Sequence, residues 1–202
     1  MDRAELKENA KQQIKGKIGI LFVVTLVIAL ISGVATSALA LIPVVGPLVG
    51  IIVVTPAFAL SIYRIYINLF YGQEPAVGDA FCGFDDFWSA FKLTFLTGLF
   101  TMLWSLLFYI PGIVKAISYS MSFYILAENK GKPALECINE SKEMTKGHKM
   151  ELFVLGLSFV GWMLLAMVTF GIALIWVEPY MVATFTNAYQ ALKKTPSVDA
   201  AE

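Results

Sequence analysis

Long apolar runs alternate with short polar segments along the 202-residue chain. Residues 18–63 contain no Asp, Glu, Lys or Arg, and residues 93–114 and 152–177 form two more uncharged runs. A helix needs roughly 20 apolar residues to cross the hydrocarbon core of a bilayer. The first run is long enough for two crossings. The pattern predicts six spans, over about 18–39, 49–69, 93–109, 113–127, 150–169 and 172–192. Breakers lie between them. Pro43, Gly46 and Pro47 make an apolar turn within 41–48, Pro111 and Gly112 a tight turn, and Phe170 and Gly171 another.

Three polar segments precede the first, third and fifth spans. In residues 1–17, Leu6, Ala10 and Ile14 share one helical face, and Lys7, Lys11 and Lys15 form a neighbouring stripe. An amphipathic helix on the membrane surface is favoured over a solvated basic tail. Residues 76–92 space Phe81, Phe84, Phe87, Trp88 and Phe91 three or four apart, with one adjacent pair. A second interfacial helix, its rings at headgroup depth, fits that spacing. Residues 128–149 predict a third polar helix, with Pro133 in its first turn and a solvated face of charges over 136–146.

Composition supports a membrane reading. Hydrophobic residues make up 58% of the chain and charged residues 15%, against about 25% charged in soluble domains. The expected fold class is all-α: a polytopic bundle of six transmembrane helices with interfacial amphipathic helices. Charge distribution sets the orientation. Of the 15 basic residues, 14 fall on one predicted side, and only Lys115 falls near the other. Basic residues mark the cytoplasmic side, so both termini are expected there and the localisation is the plasma membrane. Ala38 and Ala40 resemble a signal-peptide cleavage site. The long apolar stretch and the acidic residues Asp2, Glu5 and Glu8 favour a retained span.

The chain also repeats. Laid on residues 136–157, residues 5–26 match at eight of 22 positions, including Lys11 with Lys142, Gly16 with Gly147 and Leu21 with Leu152. The middle segment shares the pattern but few identities. A threefold repeat of interfacial helix, span, outer turn and span is expected, within one membrane domain over 1–192. Its units are about 1–71, 72–127 and 128–192, with 193–202 a polar tail. The copies are parallel, which does not favour alternating access.

Charges inside the bilayer are functional candidates. Lys115 and Glu178 form a candidate intramembrane charged pair, with Pro179 loosening the helix beside it. The alternative is that Lys115 snorkels to the outer headgroups while Glu178 faces a shallow wet dent. Pro56 and Pro179 are expected to kink their spans. A polar pocket of Thr55, Ser118, Ser120 and Glu178 is one reading. The other gives the hydroxyls to backbone groups that the prolines free. His148 is expected at the interface. No catalytic residues, cofactor or metal site are expected, and Cys82 and Cys137 are expected as cytoplasmic thiols without a disulfide.

Residues 104–127, WSLLFYIPGIVKAISYSMSFYILA, residues 140–153, ESKEMTKGHKMELF, and residues 176–180, WVEPY, resemble the bacterial membrane family known as domain of unknown function 975. The likeness runs from Leu6 to about Leu192. It implies a multi-pass protein of Gram-positive bacteria, places Pro111, Gly112, Lys115, Gly147, Glu178 and Pro179 in recurring motifs, and assigns them no role. The leading functional expectation is a non-enzymatic accessory or envelope-protective protein. The alternatives are a small transporter or channel using Glu178 and Lys115, and a lipid-interacting protein or enzyme. The expected partners are the lipid bilayer and another membrane protein, with no nucleic acid.

Overall fold

The structure is a computed structural model that describes residues 2–39, 54–107 and 109–194. The expected turn at 41–48, the start of the second span and the tail beyond 194 lie outside the described residues. Among those residues there are helices and turns and no strand.

The first elements follow their sequence signals. Helix α1 (Arg3–Ile14) is capped by the Asp2 carboxylate, which accepts the Ala4 N–H at 2.8 Å. It ends before Gly16, whose φ of 79° suits glycine. Helix α2 (Ile18–Leu39) has the bounds expected of the first span. Helix α3 (Thr55–Phe70) follows, then a 3-10 segment (Val77–Asp86) that runs directly into α4 (Phe87–Leu107). The remainder is α5 (Tyr109–Tyr119), α6 (Ser122–Glu128), α7 (Ala134–Met144), α8 (Lys149–Leu157), α9 (Val160–Val168) and α10 (Leu174–Lys194).

Several expectations need correction. Pro111 and Gly112 do not form the turn; they occupy the first turn of α5. There proline lacks only a donor that has no helical acceptor. Gly112 has another reason to be glycine: a Cβ would lie 2.3 Å from Ser105 Oγ, where α4 and α5 cross. The expected fourth span is broken between α5 and α6. The Ser141 hydroxyl donates to the Ser118 carbonyl at 2.7 Å and accepts the Met121 N–H at 3.2 Å. A side chain wedged into the helical ladder in this way ends the helix. The fifth span is likewise split at Ser158 and Phe159 into α8 and α9. Residues 76–92 form a 3-10 segment and then an α-helix, rather than one interfacial helix.

Three stretches are long and apolar enough to cross a membrane: Ile18–Ser37, Val77–Leu106 and Lys149–Val168. They correspond to the first, third and fifth expected spans. Each is anchored at a few buried positions: Leu21, Val24 and Ile28 of the first, Ala80, Ala90 and Leu93 of the second, and Leu152, Leu155, Phe159 and Ala166 of the third. Beyond those anchors the apolar side chains are largely exposed, and no more than 22% of any one stretch is buried.

The interior lies elsewhere, among α3, α6 and the C-terminal half of α10, ringed by the polar segments. Here one neighbour relation recurs. The 3-10 segment packs on α3, α7 packs on α6, and α1 packs on α10, so the first helix meets the last. Laying Tyr66 on Tyr124 also lays Gly83 on Ser141 and Pro75 on Pro133. Laying Tyr66 on Tyr189 also lays Pro56 on Pro179. All three tyrosines are buried. Ala10, Gly83 and Ser141, which share one register position, are buried small residues at the three close approaches. The face of α1 formed by Leu6, Ala10 and Ile14 therefore meets protein rather than a membrane surface.

The approach at Gly83 is close. A Cβ there would stand 2.0 Å from the Ala57 carbonyl oxygen and 2.7 Å from the Ser61 nitrogen, both backbone atoms. Overpacking of this kind costs about 1–3 kcal/mol. Gly83→Ala is expected to lower the melting temperature in mild detergent, whereas Gly98→Ala, which meets nothing within 4 Å, leaves it unchanged or higher. Equal melting temperatures for the two variants would contradict the packing of the 3-10 segment on α3.

Candidate functional site

At the end of the bundle where α6 and α10 terminate, Glu128 closes α6 with its side chain only 8% exposed. Four donors reach its carboxylate. Tyr71 OH (3.0 Å) and Gln190 Nε2 (2.6 Å) bind Oε1, and Tyr189 OH (2.8 Å) and Lys193 Nζ (2.6 Å) bind Oε2. The donors come from the residue after α3 and from the last turns of α10. Burial by itself would push the Glu128 carboxyl up, but the Lys193 ammonium and then Gln190, Tyr189 and Tyr71 outweigh it and hold the carboxyl below its ordinary value. The same hydrogen bond raises Lys193.

A second tie surrounds Arg64 of α3. Its Nη1 donates to the Cys82 carbonyl at 2.5 Å, and its Nη2 lies 3.7 Å from Asp86 Oδ2. Asp86 in turn accepts the Gly131 N–H at 2.7 Å. Both side chains are nearly buried. Lys130 pairs with Asp85 and Lys132 with Glu140 at the rim. The helical face over 136–146 is thus solvated only in part, since Cys137, Ile138 and Ser141 are buried.

Between α3, α6 and α10 lies a cavity of about 360 Å³, lined by Tyr63, Ser120, Met121, Tyr124, Glu178 and Phe185 among others. Glu178 also lines a cleft of about 150 Å³ against Phe22, Thr25 and Ala29 of α2. Half-buried, Glu178 makes no hydrogen bond or ion pair among the described residues. It lies within electrostatic reach of Tyr66. Among the described residues, the hydroxyls of Tyr66 and Ser122 are buried and without a hydrogen-bond partner. A buried hydroxyl left unpaired costs about 1–3 kcal/mol.

The structure does not bring Lys115 and Glu178 together. The Lys115 ammonium sits 4.6 Å from the Trp104 ring centroid across the α4–α5 crossing, a cation–π contact. Pro179 lies inside α10, and Pro56 in the first turn of α3. Of the expected polar pocket, Ser120 and Glu178 share the cavity. Ser118 instead donates to the Val114 carbonyl. Phe81 and Phe84 pack on Phe58 at 6.2 and 5.1 Å, yet both rings stay partly exposed. Phe87, Trp88 and Phe91 form a contiguous aromatic group that continues to Phe95. His148 faces Glu151 at 3.3 Å. Cys82 and Cys137 are free thiols, and burial pushes Cys137 up to about 11.

Glu128, Arg64 and Asp86 escaped the sequence reading. Arg64 falls inside the expected span over 49–69, directly after the uncharged run 18–63, and that place was a signal. Among the described residues no group of three or more His, Cys, Asp or Glu could hold a metal ion.

A family model described as "Protein of unknown function (DUF975)" matches residues 1–118 and 106–196. No curated protein and no solved structure matches the chain.

Glu128→Gln removes the charge and one strong acceptor while keeping the shape. Hydrogen bonds to charged groups contribute about 1.5–3 kcal/mol, so the variant is expected to melt measurably earlier at neutral pH. The folded carboxyl lies below its ordinary value of 4.5. Its contribution is therefore full above that value and is lost as pH falls through the folded value. Stability curves of the parent and of Glu128→Gln are expected to converge on acidification. A constant gap down to acid pH would contradict the clasp.

Proposed function

We propose, from the premise that the chain belongs to the DUF975 family of proteins of unknown function, that it is a non-enzymatic accessory protein of the plasma membrane. It crosses the bilayer six times with both termini in the cytoplasm, and it acts by lateral association with another membrane protein. One observation carries this reading. The apolar stretches Ile18–Ser37, Val77–Leu106 and Lys149–Val168 are anchored at a few buried positions and largely exposed elsewhere. An exposed apolar surface of this extent needs lipid or protein against it. The charges of the inner end, by contrast, are taken up in ties between elements. Three units of about 1–71, 72–127 and 128–192 fit the recurring packing, and the basic residues favour the inward orientation.

A second reading rests on the central cavity. A small transporter or channel would use Glu178 to hold a passing cation or proton there. Lys115, beside Trp104, stands outside that path.

Two experiments test these readings. With Cys82 and Cys137 replaced by serine, Phe170→Cys is expected to react with an impermeant maleimide on intact cells, and Lys194→Cys only after permeabilisation. The reverse pattern would overturn the orientation. Crosslinked protein purified from native membranes is expected to carry a stoichiometric protein partner. If it carries none, and Glu178→Gln abolishes ion flux into proteoliposomes, the accessory reading fails and the transport reading stands.

A further inference from the structure

Helix α1 packs its apolar face on α10, and this turns its lysine stripe towards the seam between α9 and α10. Lys7 Nζ lies 4.8 Å from the Phe159 ring centroid, and Lys11 Nζ lies 5.9 Å from that of Tyr180. Lys15 follows at the next turn of the stripe. Beside Lys11 and Lys15 opens a cleft of about 440 Å³, walled by Ile14, Ile18, Trp162, Trp176, Val177 and Tyr180. That volume falls within the roughly 300–1,000 Å³ of small-ligand sites.

We infer that this cleft is a binding site for one anionic phospholipid of the inner leaflet. Its phosphate would lie against Lys11 and Lys15 and its acyl chain against Trp162 and Trp176. The inference rests on the membrane reading proposed above.

Charge complementarity selects the headgroup. Glu8 stands 3.9 Å from Lys11, with both side chains about 60% exposed, and it is the acidic partner on this stripe. The Lys15 ammonium makes no ion pair or hydrogen bond among the described residues. The stripe therefore keeps a net positive charge. The apolar lining selects a lipid over a small soluble anion. Ile18 opens the apolar stretch Ile18–Ser37, so the lysines stand at the end of a span and the tryptophans along the apolar flank. Lysines at that level meet phosphates, and the indoles are amphipathic. The α5–α8 seam has the same plan: Lys149 stands at an apolar cleft of about 410 Å³ lined by Ile113, Val114, Ile117, Met150 and Phe153.

Tryptophan fluorescence gives a direct test. Trp88→Phe and Trp104→Phe leave Trp162 and Trp176 as the only indoles. That protein is reconstituted into phosphatidylcholine vesicles containing a minor fraction of lipid with brominated acyl chains. The brominated lipid is phosphatidylglycerol in one arm and phosphatidylcholine in the other. At equal mole fraction, brominated phosphatidylglycerol is expected to quench beyond its bulk share, with an enrichment on the order of tenfold from two lysines. Lys11→Gln with Lys15→Gln is expected to abolish the excess, and the two arginine replacements to restore it. Helical content measured by circular dichroism shows that the glutamine variant is folded. Equal quenching by both brominated lipids would overturn the site, as would an excess that survives the glutamine changes. No quenching by either lipid would overturn the membrane reading itself.

Discussion

A carboxylate taken out of water must be given donors, and Glu128 receives four from the helix ends that it joins. Burial alone would favour its neutral form. The Lys193 ammonium and the three neutral donors reverse that preference, but only if α3, α6 and α10 end at one point. This requirement organises the half of the molecule around Glu128. Once α10 is fixed beside α6 and α3, its outer face offers Ala183 and Asn187 to α1, and Asn187 donates to the Leu6 carbonyl and accepts from Gln13. The first helix thereby closes on the last.

The two halves of the molecule use opposite chemistry. Towards one end, apolar helices expose Leu, Met, Trp and Phe and bury little. Towards the other, apolar side chains such as Leu60, Ile125 and Ile138 fill the interior, and hydroxyls, amides and ion pairs tie the elements together, several of them by binding backbone groups. Ser141 wedges between α5 and α6, and Ser61 accepts the Gly83 N–H at 2.8 Å while donating to the Ala57 carbonyl. Away from water such bonds hold helices together and break them at set points. Their cost is the unpaired remainder: the Tyr66 and Ser122 hydroxyls, and Glu178 beside its cavity.

Much of the architecture was legible in the residues, and the misses have physical causes. The start of α2 could be read because the uncharged run 18–63 follows a glycine-marked turn. Residues 5–26 and 136–157 could be matched because Gly16 and Gly147 both take positive φ at the same junction. The middle segment has Ser89 at that register position and runs as unbroken helix, so its packing recurs without the sequence mark. The break after α5 was not legible because the wedge, Ser141, lies more than 20 residues further along the chain. Apolar periodicity gives depth and not direction. Lys115 and Glu178 therefore looked like partners, although their helices turn them to different neighbours. Glu128, at the edge of a polar segment, carried no sign that three helix ends converge on it.

The closure of α1 on α10 is the central claim, and one crosslinking measurement tests it most directly. The side-chain amides of Gln13 and Asn187 meet at 3.0 Å. With Cys82 and Cys137 replaced by serine, Gln13→Cys and Asn187→Cys are joined by a short bifunctional thiol reagent in detergent, and a protease then cuts the chain between them. A closed fold predicts that the two fragments stay linked within one chain, at monomer mass before cleavage. Linkage only between two chains, or no linkage in protein that each single cysteine variant shows to be reactive, would contradict it.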